Sequence, residues 1–191
     1  GKWVNIEPLP FNSDDYNVAH PALNVDETKL YFTSDMPGSI GGSDIFYVDI
    51  NNDGSFGSPK NLGSKFNTEG RENFPFISDD GTLYFSSDSH IGLGGLDVFM
   101  IKDDKVVNVW KPINSPRDDF GYIIDEKTLE GYVTSNRVGG VGDDDIYSFK
   151  RNPCKKEFFG SVLDENTLAT ISAADITVYN ENNNEVDRFK S

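Results

Sequence analysis

Short runs in which apolar and polar residues alternate recur along the chain, and none of them takes up the period of a helix. Apolar positions two apart mark strands with one face turned inward. The runs HPALNV, LYFTS and DIFYVDI come first, followed by a poorer outer segment, FGSPKNL. FPFIS, LYFSS, DVFMI and VVNVWKPI repeat that order, and GYIID, EGYVTS and DIYSFK begin it a third time. DETK, DDGT and NNDG separate the runs with the acidic, Asn and Gly residues that tight turns require.

The repetition extends to single positions. LYFTSD with GGSDIF returns as LYFSSD with GGLDVF, and in degraded form as GYVTSN with GDDDIY. Ser34 and Asp44, Ser87 and Asp97, and Ser135 and Asp145 all stand ten residues apart. A period near 50 filled with short strands predicts β-propeller blades of four strands each. Three blades cannot close a ring, which takes roughly four to eight, so further blades are expected upstream. The third unit stops after its third strand, and the opening GKWVNIEPLPFN has the character of an outer strand and its exit loop. Asn12, Asn67 and Asn114 each stand at the passage into the next unit.

The texture changes near Cys154, read as a junction residue. Residues 1–152 are expected to be propeller blades and 153–191 the first part of a second β domain, with strands at 158–163 and 175–179. The fold class predicted is all-β: a partial propeller of about three blades plus the start of a β-sandwich. Its remaining strands are expected beyond this chain. The opening Gly, without a start methionine or apolar leader, suggests a mature form or an excised fragment.

Composition narrows the partners. Seventeen basic against 32 acidic residues give a net charge of −15 in 191 residues, which repels nucleic acid and anionic lipid. No run approaches the ~18 apolar residues of a membrane-spanning helix. A single cysteine excludes an internal disulfide framework and a thiolate zinc cluster.

Gly41, Gly42, Gly94 and Gly95 precede third strands and permit tight loops with close backbone approach. Asp44, Asp97 and Asp145 are then read as acceptors for the loops' own amides. Asp35 and Asp44 also offer oxygens of the kind calcium takes, but without EF-hand or RTX spacing. Asp79, Asp80 and Asp143 to Asp145 supply carboxylates for a glycosidase, though adjacent turn aspartates point into water rather than across a pocket. His20 and His90 have no sequence neighbour to complete a metal site or a triad, and no nucleophile elbow, zinc-helix motif or phosphate loop is present. No catalytic residue, metal or cofactor is assigned. Trp3 and Trp110 fall in outer-strand segments, either as anchors for a partner or as packing between blades.

The repeat P-x-[LI]-x-x-[DE]…LYF-[ST]-S-D…GG-x-D-[IV]-[FY] resembles the WD-repeat-like, TolB-like propeller repeats of OmpA-family proteins of Bacteroidetes. Gly160, Val162, Asp164, Thr167, Ile171, Ala174, Ile176 and Val178 resemble the opening of a carboxypeptidase-regulatory-like domain, with Thr170 where that pattern has proline. This order of domains is similar to PorE-like proteins of the type IX secretion and gliding machinery. The resemblance implies a periplasmic, outer-membrane-associated scaffold that contacts envelope proteins. It reaches peptidoglycan only through a domain absent from this chain. An accessory propeller of a peptidase or glycosidase, and a glycan- or calcium-binding module, are the competing readings.

Overall fold

A computed structural model describes residues 1–152, 160–179 and 183–191. Among these residues there is no helix, and all regular structure is antiparallel. The chain divides into two compact units, Gly1–Asn152 and Pro153–Ser191.

The first unit holds three sheets. One contains β1 (Val18–Leu23), β2 (Lys29–Ser34), β3 (Asp44–Asp49) and β4 (Lys60–Asn61) in that order. The next repeats it with β5 (Glu72–Ile77), β6 (Leu83–Ser87), β7 (Asp97–Lys102) and β8 (Lys105–Asn108). A third has β9 (Asp119–Asp125), β10 (Glu130–Ser135) and β11 (Asp145–Lys150), and no fourth strand among the described residues. These are successive blades of a partial propeller. Strand β5 packs on β1 and β2, and β9 packs on β5 and β6, so the innermost strands lie side by side.

The ten-residue interval has a simple cause. Ser34 faces Asp44, Ser87 faces Asp97 and Ser135 faces Asp145 as the closing pairs of the β2–β3, β6–β7 and β10–β11 hairpins. Alternation then divides the apolar residues between blade faces. Leu30, Phe32, Phe46 and Val48 gather under Phe11 on one side of the first blade. Ile45 meets Phe85 and Phe99 of the second blade, joined by Tyr31, Leu62, Ile101 and Val106. Tyr84 and Val98 meet Tyr122, Ile124 and Val133 of the third. The opposite face of that blade has no such cover, and Tyr132 and Ile146 are 53 and 76 % exposed.

Some boundaries differ from the sequence reading. The predicted inner strand at 20–25 is Val18–Leu23, because a bulge at His20 lets pairing start earlier. Of the poor outer segment at 56–62 only Lys60–Asn61 forms a strand, with a single bridge from Phe56 to Ile50. Residues 1–9, read as an outer strand and its exit loop, form no strand.

In the second unit β12 (Asp175–Tyr179) pairs with β13 (Glu185–Lys190), and Leu163 bridges to Thr170. Asp164 accepts from the Asn166 and Thr167 amides, closing the turn between those bridged residues. Cys154 and the first two residues of the strand expected at 158–163 lie outside the described residues.

Candidate functional site

Each blade closes its Gly-rich loop with the repeat aspartate. Asp44 accepts from the Ile40 amide at 2.7 Å and the Gly41 amide at 3.1 Å. Asp97 accepts from Leu93 at 2.7 Å and Gly94 at 2.9 Å, and Asp145 from Val141 at 2.7 Å and Gly142 at 3.1 Å. Donors, not cations, therefore face these carboxylates. Gly41 and Gly94 meet the next blade so closely that a β-carbon would lie 2.3 Å from the Thr68 carbonyl oxygen and 2.0 Å from that of Arg117. Gly42 and Gly95 pack behind them, against Arg71 and Asp118.

A second lock escaped the sequence reading, although its asparagines were noticed. Asn67 Oδ1 accepts from the Ile45 amide and its Nδ2 donates to the Ile45 carbonyl, both at 3.0 Å. Asn114 repeats this on Val98, both bonds being 2.8 Å. The two amides are braced in turn by Asn61 and Asn108 at 2.8 Å. Each Asn thus ties the third strand of one blade to the entry of the next. Glu72 and Asp119, fully buried, hold the same passages, Glu72 through Ser87 and Thr68 and Asp119 through Ser115 and Arg137.

With the repeat positions bound into the frame, the surface most able to receive a partner lies along the innermost strands. His20, Phe74 and Gly121 occupy equivalent bulges, with φ of 53°, 54° and 63°. His20 stacks on Phe74 with centroids 4.0 Å apart, and Phe74 on Phe120 at 4.9 Å. A shallow pocket of about 410 Å³ lies beside them, lined by residues of β1, β5 and β9 that include Leu23, Pro75, Ile77 and Ile123. No carboxylate, lysine or arginine lines it. Burial holds the His20 imidazole below its ordinary pKa, so the neutral ring is favoured there. Such a surface takes apolar or aromatic groups by stacking and desolvation.

The other candidates separate. His90 is structural, its Nε2 lying 2.8 Å from the Phe66 carbonyl oxygen and its ring against Phe85 and Phe99. Asp79 is exposed and Asp80 accepts from Ser78 and Thr82 within its own turn. Asp143 and Asp144 are exposed in their loop. Among the described residues no three His, Cys, Asp or Glu side chains group to hold a metal. Trp3 does not pack between blades, being 97 % exposed, because no neighbouring sheet lies beside it. Trp110, 52 % exposed, lines a cleft between the second and third blades. No helix among the described residues is long and apolar enough to cross a membrane.

No family model and no curated protein matches the chain. Solved structures similar to it include TolB from Acinetobacter baumannii, at 12 % identity and a TM-score of 0.48, covering 69 % of this chain and 29 % of that one. Puromycin hydrolase, as the S511A mutant complexed with PGG, is similar at 11 % identity and a TM-score of 0.38, covering 88 and 32 %. This chain spans less than a third of either structure. Both are likenesses of chain trace, and neither carries a residue role across.

Proposed function

We propose that this protein is a non-catalytic interaction module of the cell envelope, in which the inner strands present an apolar, aromatic surface to partner proteins. The observation that carries this is the His20–Phe74–Phe120 stack along the inner strands, beside a pocket that no carboxylate, lysine or arginine lines. The carboxylates that invite a catalytic or calcium-binding reading are occupied in locks or exposed in turns. The partners proposed are envelope proteins in the periplasm beside the outer membrane. Contact with peptidoglycan is made by a domain outside this chain, and residues 153–191 open a regulatory-like β-sandwich. The likeness of the repeats to OmpA-family propellers supports that placement, and the net charge of −15 supports protein over nucleic acid or anionic lipid.

The test is capture from a bacterial envelope extract by immobilised protein, comparing the wild type with Phe74→Gly. Glycine suits the backbone there, as Gly121 shows at the equivalent position. Loss of specifically retained proteins in the variant, with unchanged thermal unfolding of the rest, supports the reading. Retention untouched by the substitution, or peptide or glycoside turnover by the wild type that disappears in Asp80→Asn, contradicts it.

A further inference from the structure

The tyrosine of the LYF repeat meets different surroundings at the two blade junctions. Tyr31 and Tyr84 are equivalent, facing Tyr47 and Met100 at the same register of the β2–β3 and β6–β7 hairpins. Tyr84 is only 4 % exposed, with the Tyr122 ring of the third blade at 4.7 Å and the Arg151–Glu126 pair beside both phenols. The bulge register puts Pro75 of the second blade where Tyr122 stands in the third, and the hairpin register puts Asp103 where Arg151 stands. Pro75 has a smaller ring and Asp103 is exposed in its turn, so the first junction lacks both fillers. A pocket of about 240 Å³ lies there, at the turn ends of β1, β2, β5 and β6.

Its lining combines an apolar wall of Val25, Ile77 and Leu83 with three polar side chains, Asp26, Lys29 and Tyr31. The turn that carries Asp26 is fixed by Asn24, whose Oδ1 accepts from the Thr28 and Lys29 amides at 2.9 and 2.8 Å. Asp49 holds the Lys29 ammonium over the Tyr47 ring, 4.7 Å from its centroid, and Tyr47 in turn lies 5.8 Å from Tyr31. That bond to Asp49 engages one of the three ammonium donors. The Asp26 carboxylate and the Tyr31 hydroxyl make no hydrogen bond to the other described residues. Burial raises the Tyr31 pKa, which keeps the hydroxyl neutral and able both to donate and to accept.

We infer that this pocket between the first and second blades binds one neutral sugar unit, a pyranose laid against Tyr31 and the apolar wall with its hydroxyls on Asp26 and Lys29. A pyranose carries apolar C–H faces beside a rim of hydroxyls that donate and accept, and the lining offers a counterpart to each. An anion would meet the Asp26 carboxylate and a cation the Lys29 ammonium. A purely apolar group would strip water from three polar side chains without replacing their bonds. The volume falls below the roughly 300–1,000 Å³ of sites for drug-sized ligands, so a single unit fits rather than a long chain. Asp26 is the one carboxylate in the lining, so no second acid stands across from it for glycosidic cleavage, and the site binds without turnover. The inference is independent of the role proposed above, since the pocket shares only Ile77 with the hollow beside the aromatic stack.

The experiment is saturation-transfer NMR and calorimetric titration of the full chain with the methyl β-glycosides of glucose, galactose and N-acetylglucosamine. Glucuronate, glucosamine and cyclohexanol serve as anionic, cationic and apolar controls. At least one neutral glycoside is expected to bind with a Kd of about 1–10 mM, and every control about tenfold more weakly or not at all. Tyr31→Ala should abolish binding, and Asp26→Ala, at an exposed turn position that spares the fold, should weaken it about fivefold. Tyr132→Ala, at the equivalent but exposed tyrosine of the third blade, and Phe74→Gly should leave it unchanged. Binding of none of the three glycosides at about 50 mM overturns the inference. So does binding that survives Asp26→Ala undiminished, or a preference for any of the three controls.

Discussion

The residue after the repeat aspartate is fully buried in two blades and exposed in the third: Ile45 and Val98 are at 0 %, Ile146 at 76 %. The strands around it hardly differ, since Thr33 faces Ile45, Ser86 faces Val98 and Thr134 faces Ile146 in one register. The difference comes from outside the sheet. A blade here is completed by the asparagine and entry loop of the unit that follows it, so each repeat is structurally unfinished without its successor, as in other stacked-repeat proteins.

Removing the clamp breaks the comparison most directly. Asn67→Ala or Asn114→Ala leaves the buried Ile45 or Val98 amide unpaired, while the carbonyl keeps its bond from the Leu62 or Val109 amide, and is expected to cost roughly 1–3 kcal/mol in urea unfolding. Asn12→Ala, at an exposed position, is expected to stay within about 0.5 kcal/mol. A glycine pair gives the next largest contrast. Gly94→Ala drives a β-carbon into the Arg117 backbone and should cost roughly 1–3 kcal/mol, while Gly142→Ala, with only ordinary contacts, should be near neutral.

The aspartates sharpen the contrast between the first and second blades. Asp44 has both oxygens engaged, one of them also accepting from Asn61 at 2.5 Å, whereas Asp97 leaves a buried Oδ1 without a partner. Asp44→Asn is expected to cost about 1 kcal/mol. Burial raises the Asp97 pKa above its ordinary 3.8, so the folded state holds this proton longer than the unfolded chain. Its contribution to stability therefore declines as pH rises above 3.8, and Asp97→Asn should flatten that part of the profile. The smallest effect is at His20, whose pKa is lowered by burial. Stability should fall as pH drops below 6.5, and His20→Phe should remove that portion of the slope.

Much of the frame was readable from residue order because its cause is local. Ser34 and Asp44 are ten apart because they close one hairpin, and the apolar alternation of LYFTS and DIFYVD follows directly from the pleat. What stayed hidden depends on partners distant in sequence. Asn67 reaches back 22 residues to Ile45, and nothing near FN in the chain announces that target. The aromatic stack was hidden for a related reason. His20, Phe74 and Phe120 share a surface only through the packing of three inner strands, and their bulges break the alternation that would have aligned them. The equivalent positive-φ positions hold His, Phe and Gly, so residue type gave no repeat to find.

The central claim is that the backbone after each repeat aspartate is secured by the following unit. Amide hydrogen exchange at Ile45, Val98 and Ile146 tests it directly. Slow exchange at Ile45 and Val98 with fast exchange at Ile146 is the predicted result, and equal protection at all three would contradict it.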